Sequence, residues 1–135
     1  MALLVDTSVW SLAFRRDTPS DSDEVQALRV ALQAGEDVYT CGVIVLELRR
    51  GLIPGRARDA IDQVFRSVSW IEPSRDEYEA AAEIANTCRR HRVQLGSIDA
   101  LVAELAVSRD LTLLTTDGDF AHAAAHVPLR LWSRP

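Results

Sequence analysis

Residues 1–10 read Met-Ala-Leu-Leu-Val-Asp-Thr-Ser-Val-Trp, and the apolar run from Ala2 to Val5 ends at an acid, Asp6. A short continuous apolar run of this kind is typical of a buried parallel strand. Thr7 and Ser8 follow, and their hydroxyls can cap a helix that begins directly after them. In open parallel sheets, ligands bind at the carboxyl ends of the strands, where this pattern places Asp6.

The same order of strand, polar turn and helix recurs along the whole chain. Strands are predicted over residues 2–5, 38–41, 69–71, 111–115 and 129–132. Helices are predicted over residues 9–15, 25–34, 42–52, 56–68, 75–93, 98–109 and 120–125, with a stop signal at Gly35 and breaks at 18–21 and Pro54-Gly55. Ser97 is predicted to cap the helix that begins at Ile98. The alternation predicts an α/β sandwich around a mostly parallel central sheet, and the lack of repeats or linkers predicts a single domain over residues 1–135.

The charge composition restricts the possible functions. The net charge is −5, which argues against a pure nucleic-acid-binding module. The negative charge argues less strongly against a metal-dependent nuclease, because there a bound cation, and not the protein itself, contacts the phosphate. All 15 basic residues are arginine. The missing lysine excludes Walker-A phosphate loops, Schiff-base enzymes and kinases.

Cysteine usage and hydropathy indicate an intracellular setting. Cys41 and Cys88 are far apart and form no CxxC motif, which favours two free thiols. No apolar run is long enough to span a membrane, and the first residues lack a basic leader. We therefore expect a cytoplasmic protein without a membrane segment.

Four acids stand in apolar surroundings, namely Asp6, Glu47, Asp99 and Asp117. If the sheet is parallel, all four project towards the edge formed by the carboxyl ends of its strands. Clustered, partly buried carboxylates repel each other and cost free energy unless they are paired or coordinated. A divalent cation such as Mg²⁺, which prefers hard oxygen ligands, solves both problems. Other acids, Glu77 among them, are expected on solvated helix faces.

Each of these acids also has a structural interpretation. Glu47 can pair with Arg49 or Arg50, and Asp6 and Asp99 can cap helices. The two arginines can themselves bind RNA phosphates or serve as solvated charges near a helix end.

Aromatic and histidine side chains add little to the functional prediction. Trp10, Trp70 and Trp132 are expected to be core or interface anchors. His122 and His126 have the i,i+4 spacing of a zinc pair, but no third ligand lies nearby in the sequence.

Four short motifs resemble those of PIN-domain ribonucleases, and most closely those of VapC-type toxins of prokaryotic toxin–antitoxin pairs. The motifs are Leu-Val-Asp6-Thr-Ser, Glu47-Leu-Arg-Arg-Gly51, Ser97-Ile-Asp99-Ala-Leu-Val-Ala and Leu-Thr-Thr-Asp117-Gly-Asp119-Phe. They occur in the family's order and span essentially the whole chain. The resemblance implies a PIN-like three-layer sandwich and an endoribonuclease that depends on Mg²⁺ or Mn²⁺.

The resemblance also implies the roles of individual residues. It implies a catalytic quartet of metal-binding acids, formed by Asp6, Glu47, Asp99 and Asp117. Asp6 and Asp99 would be the main direct ligands, and the other two acids would hold waters or a second ion. Asp119 matches a further acid of the family, one whose role is more variable. Thr7, Ser8 and Thr116 match hydroxyl positions that would orient a carboxylate or water beside the metal, or would cap helices. Hydrolysis without a 2′-hydroxyl nucleophile would leave 5′-phosphate and 3′-hydroxyl ends.

The partners that the resemblance implies are an RNA substrate, a VapB-type antitoxin laid across the active-site groove, and a second copy of the chain in a homodimer. Two alternatives stay open. One is a catalytically idle PIN-like module that binds RNA or a partner protein, against which the four intact acids count. The other is a DNA-directed nuclease on a related fold, against which the small size of the chain counts.

Overall fold

The computed structural model describes residues 1–15, 20–50 and 55–135. Its strands are β1 Leu3–Val5, β2 Val38–Cys41, β3 Ser69–Ile71 and β4 Thr112–Leu114. Its helices are α1 Thr7–Ala13, α2 Asp23–Gln33, α3 Gly42–Arg49, α4 Arg56–Phe65, α5 Arg75–Arg90, α6 Ser97–Ser108 and α7 Gly118–Ala124. The strands form one sheet in the order β3-β2-β1-β4, and every neighbouring pair is parallel. The predicted α/β sandwich with a parallel central sheet is confirmed.

The central position of β1 explains its uninterrupted apolar sequence. Leu3 lies beside Val38 of β2 and beside Thr112 of β4. No residue of β1 is more than 2% exposed, as expected for a strand covered on both faces. The amide of Asp6 then donates to the carbonyl of Leu114 at 2.9 Å. Asp6 is therefore fixed at the carboxyl end of the sheet, between β1 and β4.

Helix α6 is buried along most of its length, and α5 packs along it. Seven consecutive residues of α6, from Ala100 to Ala106, are buried. A helix that is apolar on nearly every side is suited to such a position. This placement carries the first turn of α6, which contains Asp99, to the carboxyl end of the sheet.

The expectation that Glu77 lies on a solvated face is wrong. Its side chain is buried and accepts hydrogen bonds from Ser108 and from Nε of Arg109, the latter at 2.9 Å. It also forms a reciprocal capping box with Ser74 at the start of α5. The bonds to Arg109 hold the pKa of Glu77 well below its usual range. Glu77 thus fastens the start of α5 to the end of α6.

Helix boundaries differ from the predicted ones where backbone geometry intervenes. The helix predicted to reach residue 93 ends at Arg90, and Arg92 has a left-handed φ of 63°. Such a conformation cannot continue a right-handed helix. Ser97 is the first residue of α6, and Gly96 takes the N-cap position predicted for Ser97.

The last predicted strand, over residues 129–132, is reduced to a single parallel bridge between Leu113 and Leu131. Residues 18 and 19 of the predicted break at 18–21 lie outside the described residues, as do Gly51, Leu52 and Pro54 at the predicted end of α3.

The three tryptophans occupy different environments. Trp10 is fully buried, and its ring centroid lies 4.6 Å from that of Phe65. Trp70 is 52% exposed on the edge strand β3. Cys41 and Cys88 are both free, as predicted, and both are buried. Within the described parts of the chain, no helix is long and apolar enough to cross a membrane.

Candidate active site

The four candidate acids come from four different elements. Asp6 follows β1 and stands at the N-cap position of α1. Glu47 lies in α3, which begins where β2 ends. Asp99 is the third residue of α6, and Asp117 is the N-cap of α7 after β4. The parallel sheet directs these segments towards one edge, as the sequence predicted.

The electrostatics of Asp99 show that the acids lie close together. Burial, followed in order of size by the charges of Asp6, Asp117, Glu47 and Asp119, raises the pKa of Asp99 to about 6. Among the described residues, no side chain donates a hydrogen bond to Asp99 or forms an ion pair with it. Asp99 is therefore a partly buried carboxylate surrounded by like charges, a setting that favours a cation.

Asp6 is the most buried of the four acids, at 5% exposure. The hydroxyls of Ser8 and Thr115 both donate to its Oδ2, at 2.8 and 2.9 Å. Its side chain does not cap α1, although the residue stands at the N-cap position. The helix-cap interpretation of this carboxylate therefore has no support in the structure.

Thr115 is a site residue that sequence reasoning missed. The resemblance pointed to the hydroxyl of Thr116, whose side chain is exposed and whose backbone N–H donates to Oγ of Ser8 at 3.1 Å. The register pairs Val5 with Leu114, so that Asp6 comes to lie beside Thr115. Only the register between β1 and β4 distinguishes Thr115 from Thr116, and this register cannot be read from the sequence alone.

Glu47 accepts a hydrogen bond from Thr7 rather than pairing with a neighbouring arginine. The distance from Oγ1 of Thr7 to Oε1 of Glu47 is 3.0 Å. Arg49 is engaged elsewhere, with its Nη1 at 3.3 Å from Oδ1 of Asp62. Arg50 is exposed. Thr7 and Ser8 thus both orient acids of the site, and neither caps α1 through its side chain.

Asp117 has a structural contact as well as its place in the acidic cluster. Its Oδ1 accepts from the backbone N–H of Asp119 at 2.9 Å and so caps α7. Its own N–H donates to Oγ1 of Thr115 at 3.0 Å. The side chain of Asp119 is exposed in the first turn of α7.

The donor chemistry of the site fits a hydrated Mg²⁺ or Mn²⁺ ion. In residues 1–15, 20–50 and 55–135, no three His, Cys, Asp or Glu side chains are grouped closely enough to hold a metal by themselves. Mg²⁺ commonly takes only one or two protein carboxylates and keeps several waters. Oδ1 of Asp6 and both oxygens of Asp99 receive no hydrogen bond from a described side chain and are available as donors, as are Oε2 of Glu47 and Oδ2 of Asp117.

The remaining candidate groups do not add to this site. The ring of His126 stacks on that of His91, with centroids 4.0 Å apart and planes inclined by 8°. Burial raises the pKa of both cysteine thiols, which keeps them protonated and unreactive.

An apolar groove lies next to the acids, between α3, α5 and α6. Its cavity volume is about 390 Å³, and Val43, Tyr78, Ile98 and Leu101 are among its lining residues. Tyr78 is 55% exposed there, and Leu46 on α3 is 62% exposed.

Comparison with known proteins identifies the family. Residues 3–126 match the family model described as the PIN domain. The chain belongs to the PIN domain family. A search of curated protein sequences finds no match.

Several solved structures share the fold of this PIN domain over nearly its whole length. VapBC2 from Rickettsia felis, bound to a DNA fragment from its promoter, has a TM-score of 0.77 at 16% identity and covers 100% of both chains. FitAcB from Neisseria gonorrhoeae has a TM-score of 0.70 at 22% identity, covering 97% of this chain and 96% of that one. The VapC20 toxin of Mycobacterium tuberculosis, which cleaves the sarcin-ricin loop, has a TM-score of 0.62 at 23% identity, covering 96% and 99%. At these identities the likeness establishes a shared fold.

Proposed function

We propose that this PIN domain is a Mg²⁺-dependent endoribonuclease and the toxin of a VapBC-type toxin–antitoxin pair. The observation that carries the proposal is the convergence of Asp6, Glu47, Asp117 and Asp119 on Asp99, whose pKa they raise. A protein gains nothing in stability from such a cluster of like charges unless a cation or a substrate compensates it. The family and the toxins among the similar structures support the same function.

In this proposal, Asp6 and Asp99 hold the cation directly, and Glu47 and Asp117 hold waters or a second ion. The cation, Mg²⁺ or Mn²⁺, would lower the pKa of water and neutralise charge that develops on the phosphate. The chain's own part is orientation. Thr7 fixes Glu47, and Ser8 fixes Asp6. Because no 2′-hydroxyl needs to act as the nucleophile, we expect products with 5′-phosphate and 3′-hydroxyl ends.

The same geometry suggests the partners. An antitoxin arginine that enters the acidic pocket would form charge-assisted hydrogen bonds with the carboxylates and block the cation. The apolar groove and the exposed Leu46 and Tyr78 offer a surface for a second copy of the chain in a homodimer. Arg50, which is exposed three residues after Glu47, is a candidate phosphate contact, while Arg49 would have to leave Asp62 to act in this way. The toxin would act in the cytoplasm, on cellular RNA.

The proposal is tested with a labelled total-RNA pool and purified protein freed of its antitoxin, in Mg²⁺ and in EDTA. The informative variant is Asp99→Asn, which keeps the shape of the side chain and removes its charge. Asp21→Asn is the matched control, because Asp21 is exposed and lies outside the cluster. We expect cleavage by the wild type and the control in Mg²⁺, and none in EDTA or by Asp99→Asn. A folded wild-type protein that cleaves no RNA in either cation would favour the idle binding module.

A further inference from the structure

The two oxygens of Asp6 are not equivalent. Oδ2 accepts from both Ser8 and Thr115, at 2.8 and 2.9 Å. A carboxylate oxygen has two in-plane lone pairs, so these two donors satisfy Oδ2 fully. Within the described parts of the chain, no donor approaches Oδ1. At 5% exposure, Asp6 has little freedom to exchange its two oxygens by rotation.

The two hydroxyls are themselves held in place by backbone groups. The N–H of Thr116 donates to Oγ of Ser8 at 3.1 Å, and the N–H of Asp117 donates to Oγ1 of Thr115 at 3.0 Å. Each hydroxyl therefore accepts from the backbone and directs its own proton to Asp6. The oxygens of Ser8 and Thr115 also lie 3.3 Å from each other. The arrangement is a rigid clamp, formed by Ser8 and Thr115, on one oxygen of Asp6.

We propose that the Ser8–Thr115 clamp makes Asp6 a one-oxygen ligand and that this restriction selects Mg²⁺ over Ca²⁺. The inference rests on the proposed function, which places a divalent cation at Asp6. Ca²⁺ takes six to eight oxygen ligands at about 2.3–2.6 Å and often binds both oxygens of one carboxylate. Mg²⁺ takes six in a strict octahedron at about 2.0–2.1 Å, and one oxygen from each carboxylate suits it. A carboxylate with one oxygen already occupied disfavours the larger ion. Ser8 and Thr115 are in this sense positioning residues that set metal specificity.

The test is direct binding of Mg²⁺ and Ca²⁺ to the purified full chain by isothermal titration calorimetry, without RNA. The variant is Ser8→Ala combined with Thr115→Val, which removes both donors and frees Oδ2. We expect the preference for Mg²⁺, measured as the ratio of the two dissociation constants, to fall roughly tenfold, the effect of about one charge-assisted hydrogen bond. Thr115→Ser keeps a donor and should retain the wild-type ratio. Ser11→Ala removes an exposed hydroxyl from the same helix as Ser8 and serves as the control.

The outcomes separate this inference from the proposed function. A wild-type protein that binds neither cation overturns both. A wild-type protein that prefers Mg²⁺, with an equal preference in the folded double variant, overturns only the role of the clamp. If the double variant does not fold, Ser8→Ala and Thr115→Val are measured singly, and each should lower the ratio. Unchanged ratios in both single variants would equally overturn the inference.

Discussion

The hydroxyl of Thr7 donates a 3.0 Å hydrogen bond to Oε1 of Glu47, across 40 residues of sequence. This bond joins the first residue of α1 to α3, and the two helices pack against each other. Because Thr7 directly follows Asp6, one turn of chain sets the positions of two acids of the proposed site. The positions of Asp6 and Glu47 are therefore linked through Thr7.

Replacement of Thr7 by Val should weaken catalysis without unfolding the protein. Val keeps the branched shape but cannot donate to Glu47, so Glu47 loses its orientation. We expect the rate of RNA cleavage at saturating Mg²⁺ to fall about tenfold, the energy of roughly one hydrogen bond to a charged group. Thr7→Ser should restore most of the rate. Equal rates for the wild type and Thr7→Val would show that Glu47 needs no such support.

Substitutions of Asp117 can separate its two roles, the capping of α7 and the negative charge that it adds to the acidic cluster. Asn caps a helix as well as Asp does but carries no charge, whereas Ala has neither a capping group nor a charge. Asp117→Asn should therefore lose cleavage without any loss of stability, while Asp117→Ala should lose cleavage and be about 1 kcal/mol less stable than Asp117→Asn. Urea denaturation beside a cleavage assay measures both. A strongly destabilised Asp117→Asn would contradict the expectation.

Asp99 should make the metal-free protein less stable as the pH rises. Its pKa in the folded state is about 6, above its ordinary value of 3.8. The stability that protonated Asp99 confers is fully present below pH 3.8 and is lost as the pH rises through 6. In EDTA at pH 7.5, Asp99→Asn should thus be more stable than the wild type by about 1–3 kcal/mol, and at pH 3.5 the difference should vanish. The measurement is urea denaturation across this range.

Added Mg²⁺ provides the control for that prediction. A cation that binds only the folded wild type raises its stability by mass action, and Asp99→Asn should gain little. At pH 7.5 the difference between the two free energies of unfolding should then become smaller or change sign. A wild type that is more stable than Asp99→Asn in EDTA at pH 7.5 would show that like-charge repulsion at Asp99 is small.

The Glu77–Arg109 pair predicts a stability effect away from the proposed site. Glu77→Gln leaves Arg109 without its charged partner and should lower the free energy of unfolding by about 2 kcal/mol. The effect should shrink as the pH falls and Glu77 of the wild type becomes protonated.

The matched control is Glu79→Gln, on the same helix. Glu79 pairs with Arg75, and the two side chains are 64% and 90% exposed. Such a pair should contribute less than about 0.5 kcal/mol. Both variants should retain wild-type cleavage of RNA. Equal losses of stability in the two variants would mean that burial of Glu77 does not strengthen its ion pair with Arg109.

The sequence predicted the sheet well because buried parallel strands leave a strong local signal. The runs over 38–41 and 69–71 coincide with β2 and β3, and the run over 2–5 contains β1. The run over 129–132 carries a similar apolar signal but makes only one bridge, through Leu131. Whether an apolar segment becomes a strand depends on neighbours that are distant in sequence.

The sequence marks the acids of the proposed site but not the side chains that surround them. Each acid is marked locally, by the apolar residues that flank it. Thr115 acts on Asp6 at a separation of 109 residues. Outside the site, Arg109 likewise acts on Glu77 at a separation of 32 residues. Contacts of this kind follow from strand register and helix packing. Local patterns contain neither.

The place of β1 between β2 and β4 has a consequence for synthesis of the chain. Asp6 leaves the ribosome 109 residues before Thr115, the neighbour that completes its hydrogen bonding. A domain generally folds as a unit, so β1 completes its pairing in the sheet only after β4 has emerged. The acidic cluster therefore closes only when translation has passed residue 117. The proposed nuclease would therefore stay inactive until almost the whole domain has emerged from the ribosome.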